Sequence, residues 1–128
     1  MKSRLIYWLT YAGMWLLALL PFRALYVLSD GFCFLMHYIV NYRRKVVRNN
    51  LHNAFPEKSE AELREIECKF YRYICDYMLE EVKMLRMSFK ELCRRMEYDN
   101  KEEYLAMIEK HGGIVLVIPH YANFEWIT

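Results

Sequence analysis

Hydrophobic and polar positions divide this chain into three stretches of different character. Residues 5–20 (LIYWLTYAGMWLLALL) are sixteen uncharged, mostly apolar positions behind Lys2 and Arg4. Pro21, Phe22 and Arg23 interrupt, and residues 24–40 (ALYVLSDGFCFLMHYIV) resume with Asp30 as their one acid. The first run falls short of the about 20 residues of a perpendicular membrane span. Carried through Pro21 to Leu28, it predicts a kinked spanning helix from which Arg23 snorkels toward the headgroups. The second run spans too, or lies in the interface beside Tyr38, Tyr42 and the basic residues that follow. No A-x-A-like cleavage site precedes the further apolar sequence, so an uncleaved anchor fits better than a secretory signal.

From Tyr42 onward the pattern is that of amphipathic helices. Phe55-Pro56 closes the first of them, and Ser59 with Glu62 is a capping box that opens a long one. Leu63, Ile66, Phe70, Ile74, Tyr77 and Met84 recur at three, four or seven residues and predict a single apolar stripe. Ser88 with Glu91 marks another helix start, with Phe89, Leu92 and Met96 inward. Asn100 with Glu103 marks a third, which His111-Gly112-Gly113 ends, with glycine available for a left-handed C-cap. The third stretch follows. Residues 114–118 (IVLVI) are five consecutive apolar positions between Gly113 and Pro119. They predict a strand buried on both faces, as in a parallel sheet covered by helices.

Composition sharpens this division. Apolar residues reach 55% and charged residues 27%, too many charges for a polytopic membrane protein. Residues 1–58 hold eight Lys/Arg and two acids, a net of +6 against −4 for the remainder. A basic, aromatic, apolar end on an acidic body points to anionic lipid headgroups rather than nucleic acid. The denser cluster Arg43, Arg44, Lys45 and Arg48 favours a cytoplasmic body. Cys33, Cys68, Cys75 and Cys93 contain no C-x-x-C pair. Cys68 and Cys75, seven apart, read as packed thiols on one helix face in a reducing compartment. His37, His52 and His111 read as interfacial, solvated and helix-terminal, with no metal site.

The chemistry is concentrated after the predicted strand, in Pro119-His120-Tyr121-Ala122-Asn123-Phe124-Glu125-Trp126. His120 stands at the strand's C-terminal edge, where α/β sheets place their ligands. Glu125 falls on the first turn of a helix beginning near Ala122 or Asn123, and the intervening turn folds it back toward the imidazole. A neutral imidazole takes a proton from an attacking alcohol, and a carboxylate on its other nitrogen fixes the tautomer. The same spacing also describes a backbone-bonded histidine followed by a helix N-terminal acid.

Residues 113–126 (GIVLVIPHYANFEW) resemble the strand and H-x-x-x-x-[DE] motif of the lysophospholipid acyltransferase superfamily. They are most similar to the lauroyl/myristoyl-type lipid A biosynthesis acyltransferases, whose motif commonly reads H-[FY]-G-N-W-E. Tyr42-Arg43-Arg44, Val46, Asn49-Asn50-Leu51 and Ala54-Phe55-Pro56 resemble the same family's region that opens Y-R-R-x-V and closes N-L-x-x-x-F-P. Ala122 and Phe124 depart from the common glycine and tryptophan, which leaves subfamily and acyl length open. Glycerophospholipid acyltransferases, with N-H-x-S-x-x-D, fit less well at Pro119, Ala122 and Glu125. A non-catalytic membrane-anchored interaction module is the rival from another class.

The resemblance implies transfer of a fatty acyl group from acyl–acyl carrier protein to a hydroxyl of a lipid A precursor, without a cofactor. His120 and Glu125 would be catalytic; Arg43, Arg44 and Asn123 are the substrate-binding candidates, although the arginines also read as an anchor's positive flank. The location implied is the cytoplasmic side of the bacterial inner membrane. The resemblance covers nearly all of this chain but only the front part of the family's domain. The expected fold is therefore α/β: an N-terminal membrane anchor helix, a helical segment, then the first strand of a truncated acyltransferase domain. Residues 1–40 would be anchor and interfacial segment, and 41–128 the N-terminal part of the catalytic domain, inactive on its own.

Overall fold

Pro21 decides the architecture of the N-terminal region. Its ring fixes φ at −66° with an extended ψ of 152°, and it brings no N–H to a helix running through it. The first helix, α1 (Lys2–Leu19), therefore stops before it, and α2 (Phe22–Phe34) starts after it. The single kinked helix expected from Leu5 to Leu28 is replaced by two. The computed structural model describes residues 2–97 and 99–127, with only the backbone of Lys2. Among these, no single helix is long and apolar enough to cross a membrane.

The chain forms two compact units, Met1–Arg86 and Met87–Thr128. In the first, α2 runs into a π-helical turn (Leu35–Ile39), followed by α3 (Arg44–Ala54) and the long α4 (Glu60–Met84). α4 opens on the predicted capping box, with the Ser59 hydroxyl accepting from the Glu62 backbone and the Glu62 carboxylate accepting from the Ser59 N–H. It packs against α1, α2 and α3. Lys83 ties the α1–α2 corner to α4: its ammonium donates to the carbonyls of Ala18 (2.8 Å) and Leu20 (2.7 Å), satisfying the orphan acceptors at the end of α1. Arg86 lies 4.6 Å over the Trp15 ring.

The buried row on α4 differs from the predicted stripe. Leu63, Glu67, Tyr71 and Cys75 are buried, at strict four-residue spacing, while Phe70 is exposed and Ile66 and Ile74 are half-buried. The row centres on a carboxylate, so hydropathy misplaces it. Glu67 is 2% exposed. It accepts from Arg44 Nε (2.7 Å) and Arg48 Nε (2.9 Å), and lies 3.0 Å from His37 Nε2. The π-helical turn presents His37, whose ring stacks on Tyr71 at 4.4 Å. The Tyr71 hydroxyl donates to the Tyr42 carbonyl. His37, expected at an interface, is a core residue. Cys75 is packed as expected, and burial pushes its thiol up to about 12. Cys68 is instead exposed beside the Tyr38 hydroxyl.

The second unit holds α5 (Phe89–Arg95), α6 (Lys101–His111) and a 3-10 turn (Phe124–Ile127). Ser88 caps α5, and Gly112 closes α6 in the left-handed conformation, φ 73°. The expected strand is not formed. Residues 114–118 are irregular, with Val115 and Val117 91% and 89% exposed. β-Branched residues favour an extended backbone, but a strand exists only through a ladder with a neighbour, and no strand is present among the described residues. The α/β class gives way to an all-helical arrangement of those residues.

Burial raises the Glu67 carboxyl, but hydrogen bonds from Arg48, Arg44 and His37 outweigh it and hold the group below its ordinary value. A depressed carboxyl stabilises the fold above the unfolded value, and that contribution disappears as pH falls through the folded value. Glu67→Gln is expected to cost roughly 1–3 kcal/mol near neutral pH, less than for a fully buried pair because both arginines stay partly solvated. Urea unfolding followed by far-UV circular dichroism should show the gap between parent and variant closing below the ordinary glutamate range. Equal stability at neutral pH would refute the bridging role.

Candidate active site

The sequence from Pro119 to Ile127 folds as a loop that feeds a short helical turn. Tyr121 donates its N–H to the Pro119 carbonyl (2.8 Å), which folds the backbone around His120 and leaves its side chain exposed. Ala122 then adopts φ 51°, one of three non-glycine residues with positive φ among those described. That left-handed geometry favours glycine. It reverses the chain so that Phe124 returns beneath His120, the two rings meeting edge-on at 4.4 Å. The Asn123 carbonyl accepts from Trp126 N–H at 3.3 Å and closes the 3-10 turn.

Glu125 sits inside this turn, half-buried, one residue after the ring that touches His120. Asn123 is also half-buried, immediately before the turn. The loop thus gathers three of the five residues singled out in the sequence: His120, Asn123 and Glu125. Beside it, Trp126 and Ile127 join Phe89, Leu92, Cys93 and Met96 of α5 in lining a cavity of about 570 Å³, with Glu97 and Lys101 as its charged groups. That volume lies within the range of small-molecule sites. The arrangement offers an accessible imidazole, a carboxylate on the adjoining turn and an apolar chamber next to both in sequence. Among the described residues no group of three or more His, Cys, Asp or Glu is placed to hold a metal.

The other two candidates belong to the first unit. Arg43 is the N-cap residue of α3, at φ 51°, with its side chain exposed. Arg44 is engaged by the fold, held by Glu67 and by Asn41 Oδ1 at 2.9 Å. The sequence reading does not bring His37, Glu67 and Tyr71 together: it puts His37 at an interface and assigns Glu67 and Tyr71 no role. The available signal was the pair Arg44 and Arg48, four residues apart on one helix face, which calls for an acid opposite.

Residues 1–127 match the family described as bacterial lipid A biosynthesis acyltransferase. The chain is 30% identical over 122 residues to the lipid A biosynthesis lauroyltransferase of Escherichia coli (strain K12), covering 93% of this chain and 40% of that protein. It thus spans about two fifths of the length of the curated relative it matches. No solved structure matches. With the match running from the apolar N-terminal segment through the His120–Glu125 loop, the chain belongs to the bacterial lipid A biosynthesis acyltransferases.

Proposed function

We propose that this chain carries the base pair for transfer of a fatty acyl group from acyl–acyl carrier protein to a hydroxyl of a lipid A precursor. The observation that carries the reading is the family match across a loop in which His120 is exposed and Glu125 stands on the next turn. His120 takes the proton of the acceptor hydroxyl as its oxygen attacks the thioester carbonyl. Glu125 orients the imidazole and stabilises the imidazolium. The C–S bond then breaks, and the proton held by His120 goes to the leaving thiolate. The cavity lined by Leu92, Met96, Trp126 and Ile127, the last two following Glu125 in sequence, supports binding of the acyl chain, and Asn123 contributes to substrate binding.

The apolar surface of α1 and α2 supports association with a membrane. Leu5, Ile6, Trp8, Leu9, Leu16 and Val27 are all exposed. The basic residues that follow, Arg43 to Arg48, favour the cytoplasmic face of the bacterial inner membrane. This unit meets the membrane through its exposed α1–α2 surface.

In the full-length protein, His120→Ala is expected to lower acyl transfer by about 100- to 10,000-fold, the usual worth of a general base. Glu125→Asp should retain more activity than Glu125→Gln, because the charge on the imidazole's partner matters more than one methylene. Near-normal turnover by the His120 variant at equal protein level would refute the assignment.

Ala122 provides an independent check on the loop. Ala122→Gly removes the left-handed penalty of roughly 1–2 kcal/mol and should leave acyl transfer at or above the parent rate. Ala122→Val, β-branched at positive φ, should lower it roughly tenfold or more. The opposite order would show that the active loop does not use this backbone conformation.

A further inference from the structure

The turn between α2 and α3 is built unlike a solvated loop. The chain bends by 89° between residues 22–39 and 44–54. Two non-glycine residues there, Asn41 and Arg43, have φ of 52° and 51°. Strained backbone persists only where its surroundings over-determine it, and here they do. Arg44 bridges Asn41 Oδ1 and Glu67, His37 and Arg48 hold the same carboxylate, and Tyr71 fastens the Tyr42 carbonyl.

What this rigid corner presents outward is amphiphilic. Ile39 is 62% exposed, Val40 55% and Tyr42 48%. Arg43 and Lys45 are exposed next to them. Arg44 and Arg48 are spent on Glu67, whereas the side chains of Arg43 and Lys45 make no hydrogen bond or ion pair among the described residues. A single exposed apolar residue needs no explanation, but a contiguous patch does. An acidic protein would be recognised by the cations alone; apolar side chains at the tip beside unpaired cations fit the boundary between acyl chains and phosphate headgroups.

We propose that the Ile39–Lys45 corner is a preformed wedge for an anionic bilayer surface. Ile39, Val40 and Tyr42 enter the headgroup–acyl boundary, and Arg43 and Lys45 meet lipid phosphates. Glu67 is its positioning residue, acting through His37 and Arg44. The wedge rests on the membrane reading above but not on the catalytic one.

The test places a nitroxide at Val40→Cys in the full chain, with the exposed Cys68 and Cys93 changed to serine. Spectra are recorded with phosphatidylcholine vesicles, with and without phosphatidylglycerol. On anionic vesicles the label should become accessible to oxygen and shielded from a water-soluble relaxant. Arg43→Gln with Lys45→Gln should shift the inserted-to-free ratio about fivefold per cation toward water, since each basic residue at an anionic surface is worth about 1 kcal/mol. Glu67→Gln, in a variant that keeps its helical circular dichroism, should leave the label more mobile and less inserted, an effect no mere loss of surface charge produces.

The outcomes separate the layers of the argument. A chain that sediments with vesicles while the label stays in water overturns the wedge and spares membrane association. A chain that sediments with no vesicle overturns both. Insertion unaffected by lipid charge or by the double variant overturns the headgroup contact. A label indifferent to vesicles but immobilised by acyl carrier protein reassigns the corner to an acidic protein.

Discussion

A carboxylate 2% exposed must be neutralised or matched, and Glu67 is matched by three donors drawn from two segments outside its own helix. His37 reaches it from the π-helical turn, and Arg44 and Arg48 reach it from the first two turns of α3. One side chain on α4 thereby fixes the end of α2, the start of α3 and the 89° bend between them. Leaving the buried Glu67 carboxylate without its partners costs more than an ordinary hydrogen bond. The bend is therefore geometrically definite even though two of its residues sit in a disfavoured backbone region.

The same economy of attachment applies to α1. Little of it is packed: Ala18 is its buried residue, and the Lys83 ammonium holds the two carbonyls at the Pro21 break. Most of the remaining apolar surface faces outward. A soluble helix with that composition would turn an apolar stripe to the core, whereas α1 is exposed along both its aromatic and its aliphatic positions. α1 is thus a helix tethered at one end, with its apolar body left to the surroundings.

Local signals were legible where the physics is local. The capping box at Ser59, the cap at Ser88, the glycine stop after His111 and the stop at Phe55-Pro56 each depend on residues within a few positions, and each stands as read. The failures share a cause, which is dependence on a partner distant in sequence. Residues 114–118 have strand propensity, but a ladder requires a second chain segment. Hydropathy puts the α4 stripe on Ile66 and Phe70 because Glu67 reads as solvated without Arg44 and Arg48 opposite it. His37 reads as interfacial until Tyr71 stacks on it. At Pro21 the error was of another kind, a kink allowed where the missing N–H enforces a break. The His120–Glu125 loop was legible as a motif and by resemblance, but neither disclosed that Ala122 would occupy the left-handed turn.

The central claim is that the exposed imidazole of the loop is the one doing chemistry while the buried one holds the fold. Diethyl pyrocarbonate modification of the full-length protein, mapped by peptide mass spectrometry against residual acyl transfer, separates the four histidines. The account predicts that activity falls in step with carbethoxylation of His120, returns with hydroxylamine, and is lost while His37 is still unmodified. Full modification of His120 with acyl transfer intact, or loss of transfer that follows His52 or His111 instead, would contradict it.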